Sequence, residues 1–333
     1  MSPIVTSSAS AASPGLRVRD WAHCLLGDQR FLVSTVISDL GSLGFASVSV
    51  ADLKRRSSTS SSEALVFPTG RSNAFAGPEG LGVDWRNRRC HVRLVRPRPG
   101  MRRLTVSMRR FDGEHTLDLE VMLDEDSSRR EGTTNAYPDD LRLLASELSA
   151  GDGGSKPAPR RVRRVLGMAV FGGFRLAGRY HEFDGWDGLG LLDLHHDVRP
   201  PYGAWRLIMA QSYVDDRLVC VDVRMDDGEE GEATVSVDGS SHELGRMAFD
   251  MPRLVDGTFD LSGTWRLRGE GGSAELTFEP DFDRSGELDV AGVTIGRRRQ
   301  VFGRLSGRVR LVDGRRVELT GLRAVAEHVY IRC

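Results

Sequence analysis

The chain has 333 residues, enough for two domains or one large barrel and for a sizeable core. Its 46 basic and 47 acidic residues leave a formal net charge of −1, which excludes the basic excess of a dedicated nucleic-acid binder and the strong field of a polyacidic tail. Of the 46 basic residues 44 are arginine, and the two lysines, Lys54 and Lys156, stand in Ser/Arg- and Gly/Pro-rich runs that read as solvated loops, so a desolvated Schiff-base lysine is not expected.

Residues 1–15 are Ser/Ala-rich, without the basic and apolar regions of a signal peptide, and read as a short disordered tail of a cytoplasmic protein. Trp21 and the run Phe31 to Leu40 read as a first barrel strand, in which Ser34, Ser38 and Asp39 either have a structural role or line its mouth. The run Lys54 to Ser62 reads as a flexible hairpin tip. Leu104–Met108 and Leu117–Val121 flank Asp112-Gly113, a strong hairpin signal because a type I′ turn needs positive φ at both central residues. A helix is expected from Pro138 to Leu148, with proline and two acids in its first turn. It leads into the linker-like stretch 149–159, and the domain boundary is placed there. The expected division is a tail over 1–15, a domain over 16–160 and a second over 161–333. Beyond it, Val219–Val223 and Ala233–Val237 flank Asp227-Gly228, and Val309–Val312 and Val317–Leu319 flank Asp313-Gly314. Short strands at regular spacing, without a βαβ rhythm, point to barrels or sandwiches with one dry and one wet face per strand.

Chemical signatures are mostly absent. There is no G-x-G-x-x-G after a strand, no phosphate-loop spacing at Gly153-Gly154-Ser155-Lys156, no G-x-S-x-G elbow and no H-E-x-x-H. Four widely spaced cysteines (Cys24, Cys90, Cys220, Cys333) form neither a disulfide framework nor a zinc pattern, and no cofactor and no metal are expected. His195-His196-Asp197 is expected in a turn holding one functional or packed histidine. The densest polar-aromatic region is 180–213, which includes Trp186, Asp193, Tyr202 and Trp205. Period-2 geometry puts Trp205, Leu207, Met209, Gln211 and Tyr213 on one strand face, which suits either a wall for a hydrophobic ligand or a barrel core. Asp193 ends an apolar run, and there it serves either as a general acid of raised pKa or as an acceptor at a strand end. Arg297-Arg298-Arg299 reads as a solvated turn or an ion-pairing cluster.

The order of segments resembles the two-barrel family of the lipocalin-like superfamily that includes carotenoid 1,2-hydratases and AttH-type proteins, with lipocalin-like Diels–Alderases and cyclases as distant members. The resemblance rests on Gly303-Arg304-Leu305-Ser306-Gly307-Arg308-Val309, Asp313-Gly314 and Gly321 to His328 near the C-terminus. It also rests on Gly190-Leu191-Leu192-Asp193 followed by Tyr202-Gly203-Ala204-Trp205, and more loosely on Trp21 with Val36 to Gly41. Two positions depart from the pattern: His195-His196-Asp197 stands where a Gly-containing turn is expected, and Leu207 replaces a second tryptophan. Residues 131–160 diverge or are inserted. The resemblance implies an all-β chain of two tandem antiparallel barrels with few short helices, and a pocket inside one barrel or between the two.

On that footing the expected function is a cofactor-independent cyclase of secondary metabolism, acting on a hydrophobic polyene polyketide or isoprenoid, with a [4+2] cycloaddition as one form of it. A shaped dry pocket supplies the entropic part of such a reaction. His195, Tyr202, Gln211 or Tyr213 would polarise a carbonyl, and Trp21, Ser38, Trp186, Trp205 and Met209 would line the pocket. A hydratase or proton-initiated cyclase, with Asp193 or Glu327 as a buried acid, and a non-catalytic carrier are the alternatives. The expected partner is a hydrophobic small molecule, with no nucleic acid and no membrane span, and the chain is expected to be a monomer or homodimer.

Overall fold

The computed structural model describes residues 17–39, 43–66, 82–126, 161–183, 188–199, 202–226, 230–255, 259–290 and 293–332. The expected N-terminal tail, the helix over 138–148, the linker and Trp186 lie outside the described residues.

The described residues are almost wholly antiparallel strands, and they hold no α-helix. The first sheet contains β1 (Arg17–Gly27), β2 (Phe31–Asp39), β3 (Leu43–Asp52), β4 (Ser57–Val66), β5 (Val83–Arg86), β6 (Cys90–Arg98), β7 (Met101–Met108), β8 (Leu117–Asp124), β9 (Arg161–Leu176), β10 (Arg179–Phe183) and β11 (Leu189–Arg199). Its order is β4-β3-β2-β1-β11-β9-β8-β7-β6-β5, with β10 paired to β9. The sheet curls until its two edges meet: Glu63 of β4 bridges Arg89 at 2.8 Å and accepts a hydrogen bond from Asn87 at 3.0 Å, both in the turn after β5. The second sheet closes into a barrel of eight strands: β12 (Tyr202–Val214), β13 (Arg217–Asp226), β14 (Glu230–Val237), β15 (Ser240–Asp250), β16 (Trp265–Gly269), β17 (Ala274–Val290), β18 (Val293–Arg310) and β19 (Arg316–Arg332). This is the two-barrel lipocalin-like architecture, with the first barrel drawn as a curled sheet.

The hairpin signals act as turn chemistry requires. Asp238 and Gly239 form a two-residue loop between paired Val237 and Ser240, with φ of 48° and 81°, the left-handed values of a type I′ turn. The Asp112-Gly113 and Asp313-Gly314 segments likewise join β7 to β8 and β18 to β19.

Several expectations are corrected. Trp21 and Phe31–Asp39 lie on two successive strands, because Gly27 to Arg30 turns the chain; Asp28 accepts hydrogen bonds from the backbone N–H groups of Arg30 and Phe31. Of the Lys54–Ser62 run only residues 54–56 lie in the hairpin turn, and Ser57–Ser62 pair with β3 as regular strand. His195-His196-Asp197 is strand, paired in register with Trp21, Asp20 and Arg19. Arg297–Arg299 is interior strand rather than turn, and the ion-pairing alternative holds, since Arg298 pairs with Glu327 and Arg299 with Asp283 at 3.7 Å. Residues 161–199 supply three strands of the first sheet, of which β11 and β9 stand between β1 and β8. The chain changes sheets between Arg199 and Tyr202.

Each sheet has its own core. Ala22, Cys24, Leu26, Val33 and Ile37 pack with Trp85 and Met108 inside the first, and Ile208, Ala210, Trp265 and Phe278 inside the second. A third apolar cluster joins them, with Leu25, Ala51, Leu166, Leu189 and Leu191 on one side and Leu207, Met209, Leu218, Phe302 and Val325 on the other. The strands of this seam are therefore buried on both faces, which explains why β1 and β12 carry continuous apolar runs, Cys24–Leu26 and Leu207–Ala210.

Candidate functional site

Strand alternation decides what faces the seam. On β1, Ala22, Cys24 and Leu26 point into the first core, so Trp21, His23 and Leu25 point outward. On β2, Val33 and Ile37 point inward, so Ser34 and Ser38 share the outward face, both buried. On β12, Ile208 and Ala210 fill the barrel, and Trp205, Leu207, Met209, Gln211 and Tyr213 turn toward the first sheet. These five residues do share a face, as period-2 geometry predicts. They line neither the lumen nor its rim, however; they form the wall between the barrels. Trp21 and Trp205 meet across the seam edge to face with centroids 6.2 Å apart, and Trp21 also packs on Phe45 at 5.9 Å.

Charged side chains are buried within this wall. Arg164 of β9 hydrogen-bonds Asp193 of β11 at 3.0 Å and Asp222 of β13 at 2.6 Å, tying the first sheet to the barrel. Burial alone would lower the Arg164 pKa, but the two carboxylates more than offset it and raise it. Asp193 is thus engaged in an ion pair with Arg164 at the strand position where the sequence places either a general acid or an acceptor.

Facing this group, β18 and β19 carry a second one. Arg298 pairs with Glu327 through both carboxylate oxygens, and Gln300 Nε2 donates to the same carboxylate at 2.6 Å. Burial would raise the Glu327 pKa, but the charges of Arg298 and His23 and these hydrogen bonds overcome it and lower it. Glu327 is therefore ionised at neutral pH.

His23 stands between the two groups. It is 1% exposed, directly opposite Asp193 in strand register, and its Nε2 lies 3.0 Å from Ser34 Oγ and 3.2 Å from Arg298 Nη2. A guanidinium only donates, so Nε2 carries the lone pair and the proton of the neutral ring is on Nδ1. Burial pushes the His23 pKa down to about 4; Glu327 and Asp193 oppose this, and Arg298 and Arg284 reinforce it. The imidazole is neutral at physiological pH.

Gln211 is on the same wall but has a positioning role: its Oε1 accepts the backbone N–H of Gly167 at 2.8 Å. The backbones come close here because Gly167 has φ +74°, and a Cβ on it would stand 2.7 Å from Leu218 Cδ2. His195 lies on β11 opposite Trp21 of the seam, and Tyr202 lies at the start of β12 opposite Arg332. Glu327, Asp193, Trp21, Ser38, Trp205, Met209, Gln211 and Tyr213 are all brought to the seam. His23, Arg164, Arg284 and Gln300, which the sequence does not single out, belong with them, as do Ser34, read as lining a barrel mouth, and Arg298, read within the Arg297–Arg299 cluster. The signal that marks His23 is a lone ionisable residue on a strand, Trp21 to Leu26, apolar on both faces. Among the described residues no group of His, Cys, Asp and Glu is arranged to hold a metal ion, and no helix is long and apolar enough to cross a membrane.

An all-β chain of two packed lipocalin-like units with a charged seam defines the class. The chain belongs to the family described as domain of unknown function DUF2804, whose model matches residues 2–138 and 157–333. Two solved structures share the fold. An AttH-like protein from Nitrosomonas europaea has 14% identity and a TM-score of 0.58, with 98% of this chain and 99% of that one covered. Kievitone hydratase from Nectria haematococca has 10% identity and a TM-score of 0.54, with 99% and 93% covered. A comparison with curated protein sequences gives no match.

Proposed function

We propose that the seam between the two barrels is the active site of a cofactor-independent hydratase-type enzyme, adding water to or removing it from a double bond of a hydrophobic substrate. The observation that carries this reading is His23, a buried neutral imidazole whose acceptor nitrogen is held by Ser34 and faces the Arg298–Glu327 pair. The similarity in fold to a hydratase supports the same class.

In the hydration direction, a water bound at Ser34 gives its proton to Oγ as the Ser34 proton passes to His23 Nε2. The water oxygen forms the new C–O bond, and the π electrons move onto a conjugated oxygen beside the Arg298 guanidinium. The imidazolium then returns its proton to carbon, which restores the neutral ring. Burial that weakens His23 as a base makes its conjugate acid strong, which favours this second transfer. The apolar wall of Trp205, Leu207, Met209 and Tyr213 excludes bulk water from the charged groups.

A cyclase, including the [4+2] cycloaddition form, would use the same wall without proton transfer, and a carrier would need neither His23 nor Glu327. The test is to feed the metabolite that accumulates in a gene deletion to the pure protein in H2(18)O. The expected result is a product carrying, or lacking, one water, with kcat lowered about 100-fold or more in His23→Gln. An isomeric product without oxygen-18, formed equally well by His23→Gln, would establish cyclisation instead. Tight binding without conversion would establish a carrier.

A further inference from the structure

One donor atom of a cation in the seam has no partner among the described residues: Nη1 of Arg284. Arg284 lies on β17 in a register row that runs across the outer face of the barrel: Arg284 opposite Gln300, Gln300 opposite Glu327, Glu327 opposite Leu207. Glu327 is the carboxylate nearest to it in effect, but both Glu327 oxygens are engaged by Arg298 and one also by Gln300. Arg284 Nη1 is buried without a hydrogen-bond partner among the described residues, and so is Oε1 of the fully buried Gln300 beside it. The charges are arranged unevenly along the seam. At the Arg164 end two carboxylates, Asp193 and Asp222, share one guanidinium, whereas at the Arg298 end two guanidiniums face one carboxylate. Burial and the like charge of Arg298 push the Arg284 pKa down to about 10, so Arg284 stays charged at neutral pH while its surroundings disfavour that charge. A buried cation with an unused donor, next to a second cation and an apolar wall, costs stability unless an anion arrives to meet it.

We propose that Arg284 is a substrate-binding residue that receives the ionised acid group of an apolar molecule, so that the ligand of the seam is a hydrophobic carboxylate rather than a neutral hydrocarbon. This rests on the seam being the active site and names the class of substrate for it. The acid group sits against Arg284 Nη1, a position from which a charge-assisted hydrogen bond completes the guanidinium. The apolar body lies against Phe282, the partly buried member of the next register row, which stacks on Phe302 at 4.7 Å. His23 is then within the same charged cluster as the bound head group.

The experiment uses the full chain with cis-parinaric acid, a fluorescent polyene carboxylate, and its methyl ester, titrated at neutral pH. A charge-assisted hydrogen bond is worth roughly ten-fold or more in affinity, so the acid is expected to bind at least about ten-fold tighter than the ester. Arg284→Met should abolish that preference by weakening the acid alone, and Arg284→Lys should keep part of it. The thermal midpoint of Arg284→Met should equal or exceed that of the wild type, since the variant removes a poorly compensated charge. Equal binding of acid and ester, no binding of either, or a preference that survives Arg284→Met would each overturn the proposal, as would an Arg284→Met midpoint well below wild type. The readout is independent of turnover. If His23→Gln leaves catalysis intact while the acid preference stands, only the hydratase reading is lost; if the preference is absent while His23→Gln abolishes hydration, only this assignment is lost.

Discussion

At the scale of single residues, His23 sets a pH dependence with a definite sign. Its pKa is near 4 in the folded chain and 6.5 when unfolded, so between those values the unfolded state binds more protons and stability falls as pH falls. Between pH 7 and pH 5 this amounts to about 2 kcal/mol, because one pKa unit corresponds to about 1.4 kcal/mol. The charged groups facing the ring are Arg298, Arg284, Glu327 and Asp193. Glu327 has a lowered pKa and therefore loses its stabilising contribution only at more acidic pH, below its unfolded value. Urea unfolding of wild type and His23→Gln at pH 7 and pH 5 separates the two: the difference in stability between the proteins should shift by about 2 kcal/mol toward the variant at pH 5. A constant difference would mean that the imidazole is not desolvated as the structure shows.

At the scale of elements, the contact between β9 and the barrel depends on one glycine. Gly167 lies at the irregular register between β9 and β11, has φ +74°, and brings its N–H to Gln211. A methyl group there meets Leu218 Cδ2 at 2.7 Å and Cys220 Sγ at 3.0 Å, and it would also have to adopt a left-handed conformation. Gly167→Ala is therefore expected to cost about 1–3 kcal/mol in chemical unfolding, through overpacking and backbone strain together. Gly178→Ala is the control: its φ is also +74°, but nothing lies within 4 Å of the added carbon, so it should cost less. Equal losses at the two sites would show that close approach at the seam contributes nothing. The sequence made strands legible wherever Asp-Gly punctuated alternating runs, as at β7–β8, β13–β14 and β18–β19. It misled at Phe31–Asp39, where an apolar run hides the fact that both faces of the strand are covered, and at Arg297–Arg299, where three like residues hide an alternation in which Arg298 turns to the seam while Arg297 and Arg299 are exposed. Alternation says which residues share a face; it does not say what lies opposite that face, which is why Trp205 to Tyr213 was legible as a wall while its partner, the outer face of β1, β2 and β11, was not.

At the scale of the whole molecule, the position of the sheet change decides which pieces can stand alone. A linker-like composition near 150–160 suggests a division at 160/161, yet β9 and β11 are bonded to β8 and β1, and their removal would leave the first sheet without its middle. Strand pairing depends on residues far apart in sequence: Trp21 is matched with His195, and Arg175 with Asp118. Composition has no access to such pairing, so a Gly/Ser/Pro-rich stretch marks a long connection within a sheet as readily as one between domains. We therefore propose units of 17–199 and 202–332. Expressed alone, 202–333 keeps all eight barrel strands closed on themselves and should unfold cooperatively with a β-sheet circular dichroism spectrum. It would also expose Trp205, Leu207, Met209, Phe302 and Val325, residues normally covered by the first sheet, and should therefore self-associate or bind an apolar dye more strongly than the full chain. The fragment 161–333 adds three strands deprived of β1 and β8, whose unpaired edges and apolar faces should drive aggregation. If 161–333 proved to be the well-behaved monomer and 202–333 the aggregating one, strands β9 to β11 would belong with the barrel in solution, and the seam with its buried histidine would have to be drawn elsewhere.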